Sequence, residues 1–548
     1  FMRNTKKFLA AVMAAAMMLG LTACGNNNSA SSASNSASTP ASQATSASAS
    51  ASKAEEPKAP LKITVNLPSN ALHDEADPNY DKLVQYINEY TNMDITWEWE
   101  DDKDKEVGYY AVLATKFAAN DFRDVMRVGN DALFRSVAKD YFWDVTDYID
   151  DYDNLRTIPS VTRANCSIEG RMYGIPLSRT LARNGFGYRA DWCDKLGIDA
   201  PKTWDEFYDM CYKFTYEDPD GNHEQDTYGI ILDSWNDVWP IITVWFGAPN
   251  KWGLDSKGDL IPDFMTDEWR AAMKELRKMY EEGLINTDFM EVDPGKARNV
   301  LQDQKGGVGF QVLDTLRKVE TYFEGADVGL SDPEEPIFML GGYLTTESGK
   351  GQAYCLPTDG FNGMVAISKK NITTEDQLKQ VLGFLNDMCD GEMMNAVDYG
   401  FEGITWDKDE NGYIKLKTAE ELEAAGTSAT FRNGFNQCIA YFTAPENART
   451  IDKAPADTVI TKLEQQLYAD DIQYCVPNYG AGFTSATYDA KGQELDALIK
   501  GGADGAIVKY IKGEIDDAGL DEIINTWKTA GGNDVIKEMN EAYHASGK

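Results

Sequence analysis

The stretch KITVNL at residues 62–67 has side chains that alternate as in a β-strand, and a Pro68-Ser69-Asn70 turn follows it. A helix is predicted next. ITWEW at 95–99 predicts a second strand, residues 107–119 a second helix, and VMRV at 125–128 a third strand. Strand, helix, strand, helix, strand is typical of a parallel sheet with helices on its faces.

The loops that follow these strands are the first candidate ligand positions. In sheets of this kind ligands bind beyond the carboxyl ends of the strands. Asn70 follows the first strand, and Asn130 and Asp131 follow the third. These three residues are therefore predicted to face a ligand.

A second α/β region is predicted further along the chain. TWDE at 203–206 has the pattern of a helix capping box, and residues 267–282 predict a long amphipathic helix that ends at Gly283. Residues 307–310 and 361–368 have the composition of strands. A chain of 548 residues is too long for one core, so two or three packed units are expected.

The start of the chain has the pattern of an export signal. An apolar run at 8–21 follows basic residues and is too short for a settled membrane span. LTACG at 21–25 is similar to a bacterial lipobox, with Cys24 as the lipidated residue; a plain signal peptide is the alternative. Since two acyl chains anchor a protein stably, the mature protein is expected on the extracellular face of the cell membrane.

Residues 24–60 have a different composition from the rest of the chain. Ser, Ala, Thr and Asn dominate them, and such a segment buries too little apolar surface to offset the entropy lost on ordering. The pattern therefore predicts a signal peptide at 1–23 and a disordered tether at 24–60.

Charge and composition disfavour several functions. The formal net charge of −37 repels phosphate backbones, so nucleic acid is not an expected partner. The cysteines lie at irregular spacing and form no legible disulfide framework. Three histidines fall in no metal-hydrolase motif, and no Gly-x-Ser-x-Gly elbow is present. We therefore predict no catalytic residue, no catalytic cofactor and no enzyme activity.

Seven short motifs follow one another along the chain. They are GRMYGIP (170–176), YRADW (188–192), PKTWDE (201–206), DPDGN (218–222), VAISKK (365–370), YGFEGITW (399–406) and KYIKGE (509–514). Each is weak alone, but the ordered set resembles the lipoprotein branch of the ABC-transporter extracellular solute-binding proteins, family 1, from about residue 61 to the end. One departure is ANDFRD at 119–124, where the family usually has SGDxPD.

This resemblance implies an α/β fold with two lobes, periplasmic-binding-protein-like and of class II type, joined by crossover hinge strands. The expected N-terminal lobe comprises 61–178 plus 305–362, and the C-terminal lobe 179–304 plus 363–548. It further implies a monomer that closes on a solute and delivers it to ABC permease subunits, and that contacts the membrane through its lipid anchor only.

An acidic loop has spacing that suits a structural Ca²⁺ ion. Its oxygen donors fall at alternate positions around Gly221: Asp218, Asp220, Asn222, Glu224 through its backbone carbonyl, and Asp226. No Glu occupies the twelfth position, and an acidic surface turn is the alternative. A second acidic stretch at 407–412 contains Asn-Gly and is better explained as a hairpin turn.

Aromatic and polar residues mark a candidate carbohydrate site. Aromatic faces stack on sugar rings while polar groups bond the hydroxyls. Trp235 and Trp239 border polar residues, and Arg179, Tyr343 and Phe361 lie near the predicted crossovers. Core packing is the alternative for the aromatic residues, and a structural ion pair for Arg179.

These patterns predict a binding protein that captures a carbohydrate, in particular an oligosaccharide, for ABC import. A carrier of peptides or other small molecules is the alternative within the same class, and a secreted carbohydrate-active enzyme with paired carboxylates is the alternative outside it. The net charge disfavours acidic sugars unless basic residues form a local pocket. The candidates for such a pocket are Arg179, Arg183, Arg189 and Arg432.

Overall fold

The computed structural model describes residues 59–69, 75–101, 108–234, 238–325, 327–455 and 457–547. The predicted signal peptide, nearly all of the predicted tether, and the candidate residues Cys24, Asn70 and Trp235 lie outside these ranges.

The first sheet contains five strands in the order β2-β1-β3-β11-β4. Their bounds are β1 Leu61–Ser69, β2 Met93–Asp101, β3 Val125–Val128, β4 Ile175–Ser178 and β11 Phe361–Ile367. β1 runs parallel to β2 and β3, as the strand-helix alternation predicts, whereas β11 is antiparallel to both of its neighbours. The residues from Val65 to Ser69 are all buried, as expected for a central strand covered on both faces.

Helices from two parts of the chain cover this sheet. They are α1 Tyr80–Thr91, α2 Tyr109–Ala118, α3 Ala132–Tyr141, α4 Ser160–Cys166, α11 Glu375–Asp387, α12 Gly391–Tyr399 and α13 Ala419–Ala424. Leu83 and Ile87 of α1 and Leu378 and Leu382 of α11 are buried in one core with the strands. Both helices therefore present an apolar stripe to this core.

The second sheet contains four strands in the order β10-β5-β9-β6. Their bounds are β5 Asn184–Arg189, β6 Tyr228–Ile231, β9 Gly306–Val312 and β10 Phe338–Gly341. β5 pairs antiparallel with β9 and β10, while β6 runs parallel to β9. Ile230 belongs to the core on one face and Ile231 to the core on the other, because successive strand residues point to opposite faces.

The helices that cover the second sheet come from both sides of β11 in the chain. They are α5 Ala190–Leu196, α6 Trp204–Tyr216, α7 Val238–Trp245, α8 Asp267–Glu281, α9 Pro294–Gln302, α10 Leu313–Phe323, α14 Val459–Asp470, α15 Ala486–Lys500, α16 Ala506–Ile511, α17 Asp517–Trp527 and α18 Asn533–Ala545. The predicted capping box of α6 is present, because Glu206 N–H donates to Thr203 Oγ1 at 3.2 Å and Thr203 N–H donates to the Glu206 carboxylate at 3.1 Å.

Two small antiparallel hairpins complete the strands. They are β7 Trp252–Leu254 with β8 Leu260–Pro262, and β12 Trp406–Lys408 with β13 Ile414–Leu416. In the second hairpin Asn411 N–H donates to Asp409 Oδ1 at 2.8 Å. The prediction of a hairpin turn at 407–412 is confirmed.

The expected allocation is wrong for residues 306–341 and 363–444, which lie in the opposite lobes, whereas residues 459–547 pack with the second lobe as expected. Residues 306–312 pair with β5 and β6, and residues 361–367 pair with β3 and β4. The glycines of β9 give one reason: a Cβ on Gly306 would lie 2.0 Å from Ile231, and one on Gly307 2.1 Å from Phe214. We call residues 61–178 with 361–444 the first lobe, and 184–341 with 459–547 the second lobe.

The two-lobe α/β architecture with crossover strands is as predicted. Hydrogen bonds tie the crossovers together: Arg179 N–H donates to the Gly360 carbonyl at 3.0 Å, and Thr358 N–H donates to the Leu181 carbonyl at 2.9 Å. Gly360 has φ +80°, and a Cβ there would lie 2.4 Å from Thr162 Oγ1. Only glycine fits this approach without strain.

Candidate functional site

A cavity of about 430 Å³ lies at the two segments that cross between the sheets. Residues 179–184 leave the first sheet for the second, and residues 356–362 lead back to it. The side chains that complete the wall belong to the second lobe: Trp239, Pro240, Asn250, Lys251, Asp263, Phe264, Trp269, Val312, Ile499, Lys500 and Ile507. A volume of this size is in the usual range for a small-molecule site.

Aromatic side chains form the apolar part of the cavity wall. Trp239 and Trp269 are each only 2% exposed, so they present edges to the cavity while their bulk packs in the second core. Trp239 makes an edge-on contact with Phe289, with ring centroids 5.9 Å apart. Phe361, the first residue of β11, is half-buried and packs against the first core. The cavity therefore touches both lobes.

Polar groups lie among these rings. Asp263 is buried, which raises the pKa of its carboxyl group, and its Oδ1 accepts a hydrogen bond from Phe264 N–H at 2.9 Å. Asn184 donates its amide to the Leu356 carbonyl at 3.1 Å. Asp359 pairs with Lys251 at 3.3 Å. Hydrogen-bonding groups held by such contacts keep a fixed direction toward a ligand.

The structure brings together three of the predicted ligand-facing residues. Arg179, Trp239 and Phe361 all line the cavity. Their contact with a ligand stays a prediction. Trp239 also confirms the core-packing alternative in part, because the same ring serves both the core and the cavity wall.

Three other predicted residues lie outside the cavity lining. Asp131 accepts a hydrogen bond from Phe134 N–H at 2.9 Å and so caps α3, and Asn130 donates to the Asn165 carbonyl at 3.1 Å. Tyr343 packs edge-on against Tyr474, with ring centroids 5.2 Å apart, and burial raises its pKa to about 12. Each of the three residues has a structural partner within the protein, and the sequence around the residue does not indicate that partner.

Sequence reasoning missed several cavity residues, above all Asn250, Lys251 and Lys500. Lys500 ends α15, far along the chain from the crossovers, and no local pattern distinguishes it from other helix-terminal lysines. Lys251 has φ +63° in the loop before β7. A lysine in the left-handed region is uncommon and would draw attention, but the backbone angle is not visible in the sequence.

Comparison with known proteins agrees with this architecture. Residues 71–315 match the family model described as bacterial extracellular solute-binding protein. The family resemblance is confirmed: over these residues the chain is similar to bacterial extracellular solute-binding proteins.

Two curated relatives extend the similarity to most of the chain. Lipoprotein LipO of Bacillus subtilis (strain 168) is 29% identical over 551 residues, with 99% of each chain covered. The polygalacturonan/rhamnogalacturonan-binding protein YtcQ of the same strain is 28% identical over 494 residues, covering 89% of this chain and 93% of its own.

A solved structure supports the fold. The Streptococcus pneumoniae ABC-transporter substrate-binding protein FusA, as an EF-hand mutant in complex with fructo-nystose, has a TM-score of 0.59 and 18% identity. The alignment covers 89% of this chain and 100% of that one. The extracellular solute-binding fold thus accounts for the described lobes.

The acidic loop at 218–226 brings its predicted metal ligands close together. Asn222 Nδ2 donates to Asp220 at 2.9 Å and to Asp226 at 3.2 Å, and Glu224 N–H donates to Asn222 Oδ1 at 2.6 Å. The Lys305 ammonium pairs with Asp226 and lowers the pKa of that carboxyl group. In the part of the chain that the structure describes, Asp218 Oδ1 is buried without a hydrogen-bond partner.

The loop's donor types fit calcium, and Asp218 Oδ1 is an oxygen that such an ion would satisfy. In the present geometry the Asn222 amide and the Lys305 ammonium serve the neighbouring carboxylates instead. Within the described ranges, no group of three or more His, Cys, Asp or Glu side chains is arranged to hold a metal ion. Among the same residues, no helix has the length and apolar character needed to span a membrane.

Proposed function

We propose that this protein captures an oligosaccharide in the crossover cavity and delivers it to the permease of an ABC importer. The observation that carries the proposal is a cavity with aromatic edges and fixed polar groups at the junction of two lobes. The names of the relatives support it, because YtcQ is described as a polygalacturonan/rhamnogalacturonan-binding protein and FusA was solved with fructo-nystose. Lobes joined by crossovers close around a ligand by hinge motion, which signals occupancy to the permease.

Binding without chemistry fits the two carboxylates of the cavity. A glycoside hydrolase needs one carboxyl group as acid and another as base or nucleophile on either side of the scissile bond. Asp359 pairs with the Lys251 ammonium, and Asp263 is almost fully buried with its Oδ1 bonded to the backbone. Neither group is free for such a role. Incubation with candidate oligosaccharides should leave them uncleaved.

The proposed location is the extracellular face of the cell membrane, through lipid on Cys24. LipO, whose name identifies it as a lipoprotein, aligns over 99% of this chain, including the LTACG stretch at 21–25. Replacement of Cys24 by Ala should abolish incorporation of labelled fatty acid into the protein. Labelling of the variant at the wild-type level would contradict lipidation at this residue.

A structural Ca²⁺ ion in the loop at 218–226 belongs to the same proposal. The ion would take Asp218, Asp220, Asn222, the Glu224 carbonyl and Asp226 as ligands. The Asn222 amide would turn its oxygen inward, and Lys305 would leave Asp226. The description of FusA as an EF-hand mutant supports a loop of this type in that protein.

The experiment that tests the function measures melting with a panel of oligosaccharides and a panel of peptides. At a hundredfold excess over the dissociation constant, a ligand adds about 2.7 kcal/mol to the free energy of unfolding. We expect stabilisation by members of the oligosaccharide panel only. Stabilisation by peptides without any effect of oligosaccharides would refute the proposal.

A matched pair of variants locates the binding site. Phe361→Ala removes an aromatic face from the cavity and should weaken oligosaccharide binding about tenfold, as expected for the loss of one stacking contact. Tyr413→Ala removes an aromatic ring that is 40% exposed in the β12–β13 hairpin and should leave affinity unchanged. Equal effects of the two variants would place the ligand elsewhere.

A further inference from the structure

The cavity wall is basic although the protein as a whole is strongly acidic. Arg179, Arg183, Lys251 and Lys500 line it, with Asp263 and Asp359 as its carboxylates, whereas the formal net charge of the chain is −37. In such a protein a basic pocket creates a local positive potential, whereas the net charge makes the potential around the rest of the molecule negative.

Two of these four cations have a carboxylate partner. Arg183 makes a bidentate pair with Asp314, at 2.8 and 3.0 Å, and Lys251 pairs with Asp359 at 3.3 Å. The other two make no ion pair: across the described part of the chain, Arg179 and Lys500 have no carboxylate within ion-pair distance. Burial raises the pKa of the Asp263 carboxyl group, and the charge of Lys500 acts on that group by lowering its pKa. Arg179 Nη1 donates to the Ser178 carbonyl at 3.2 Å, and the rest of its guanidinium group is available.

A further arginine lies close to this pair. Arg127 of β3 is 3% exposed, and its guanidinium donates to Gln437 Oε1 at 3.1 Å and to the Asn362 carbonyl. Among the described residues, its Nε is buried without a hydrogen-bond partner. The pKa of Arg179 is lowered by burial first and then by repulsion from Arg183 and Arg127, while Asp314 acts in the opposite direction. Three arginine cations thus lie close together at the crossovers, and Asp314 pairs with Arg183.

We propose that the oligosaccharide captured by this protein carries carboxylate groups, one of which binds the Arg179 guanidinium with Lys500 as a second cation of the site. This inference rests on the proposed function and specifies its ligand class. A planar guanidinium presents paired N–H donors that match a carboxylate, and such charged pairs are stronger than neutral hydrogen bonds. Arg189 and Arg432, the other candidates for a basic pocket, do not line the cavity; Arg189 pairs with Asp191 at 2.6 Å.

The test compares a galacturonate trimer with its methyl ester, which keeps the rings and hydroxyl groups but removes the charge. Calorimetric titration of the full mature protein should show binding of the acid and at least tenfold weaker binding of the ester. Raised salt should weaken binding of the acid, because the contact is an ion pair. Arg179→Gln should reduce affinity for the acid about tenfold to a hundredfold.

Three controls separate the outcomes. Lys462→Gln removes one exposed positive charge that pairs with Asp457 outside the cavity, and it should leave affinity unchanged. Lys500→Gln should also weaken binding of the acid. If Arg179→Gln does not fold, the same titration is made with Lys500→Gln instead. Equal binding of acid and ester, or of wild type and both cavity variants, would overturn this inference while the proposed function stands. Failure of every oligosaccharide, acidic or neutral, would overturn the proposed function itself.

Discussion

The two lobes differ in where their aromatic residues lie. The second core contains six fully packed tryptophans, Trp192, Trp204, Trp239, Trp245, Trp269 and Trp527. In the first lobe Trp97, Trp99 and Trp143 are only partly buried against the core, and Trp406 of β12 is the buried exception among the described residues. Because the cavity wall is an outer edge of the second core, the binding surface depends mainly on how that lobe is packed.

The lobes also differ in how their sheets are assembled. In the first lobe β1 pairs with the next strand in the chain, β2, and a single helix connects the two. In the second lobe β5 pairs with β9, a strand much later in the chain, and Phe186 lies opposite Phe310. The first lobe reaches the site through Phe361 and Asn362, and through Asn165, which donates its amide to the Asp359 carbonyl at 3.0 Å. The comparison indicates a binding lobe and a closing lobe.

The largest expected effect tests whether the two cores unfold separately. Trp245 is fully buried and packs against Phe186 and Phe310. Trp245→Ala should cost about 3–5 kcal/mol of stability by leaving a cavity in the second core. Phe134→Ala is the matched change in the first core. Calorimetry should show each variant shifting a different transition, and one common transition in both would contradict separate cores.

Buried carboxyl groups give the lobes different responses to pH. Burial raises the pKa of Asp471 in the second lobe to about 7 and that of Asp387 in the first lobe to about 6. The unfolded pKa is about 3.9. Each group therefore favours the folded state when protonated, and the benefit is lost as pH rises from about 4 through the folded pKa.

Removal of each of these two charges should remove its own contribution to the pH dependence of its lobe. At pH above 7, Asp471→Asn should stabilise the second lobe by up to about 4 kcal/mol and Asp387→Asn the first lobe by up to about 3 kcal/mol. Near pH 4 both effects should vanish. Melting curves across this range provide the measurement, and a stabilisation that is independent of pH would show that desolvated charge is not its cause.

Calcium should act on the second lobe alone, because the loop at 218–226 precedes β6. At a hundredfold excess over its dissociation constant, the ion should add about 2.7 kcal/mol to the stability of that lobe. Asp218→Asn should weaken the response, while Asp407→Asn, in the β12–β13 hairpin, should leave it intact. A flat calcium titration followed by melting temperature would remove the ion from the proposal.

The smallest expected effect concerns an ion pair between the lobes. Arg135 of α3 pairs with Asp489 of α15 at 2.7 Å, with side chains 19% and 33% exposed. A double-mutant cycle with Arg135→Gln and Asp489→Asn should give a coupling energy below about 1 kcal/mol, as for other partly exposed pairs. A much larger value would mean that this contact locks the lobes together.

Local sequence predicted the first lobe better than the second. The alternation at 62–67 and the helical stripes describe elements whose partners are near in the chain. The allocation was wrong for 306–341 and 363–444 but right for 459–547, because the pairing of strands β9 and β11 depends on how their faces fit their neighbours. Gly306 and Gly307 of β9 leave room for the side chains of Ile231 and Phe214. Nothing in the sequence of β9 indicates that these two residues are its neighbours.

For the site, the sequence identified residues by type and only the fold decided their use. Arg179, Trp239 and Phe361 reach the cavity, while Asp131 caps a helix and Tyr343 packs on Tyr474. Caps and ring contacts involve the same residue types as ligand sites. Sequence spacing does not separate the two uses.

The sequence by itself determined the export signal pattern, the alternation of strands and helices, the family resemblance and the acidic charge, since each depends on composition or on short-range order. Only the tertiary structure decided which strands meet, which aromatic residues border the cavity, and that Arg179 and Lys500 make no ion pair with the described carboxylates. These features depend on contacts between residues hundreds of positions apart. Such contacts depend on packing and charge in the folded molecule, and a local sequence pattern does not predict them.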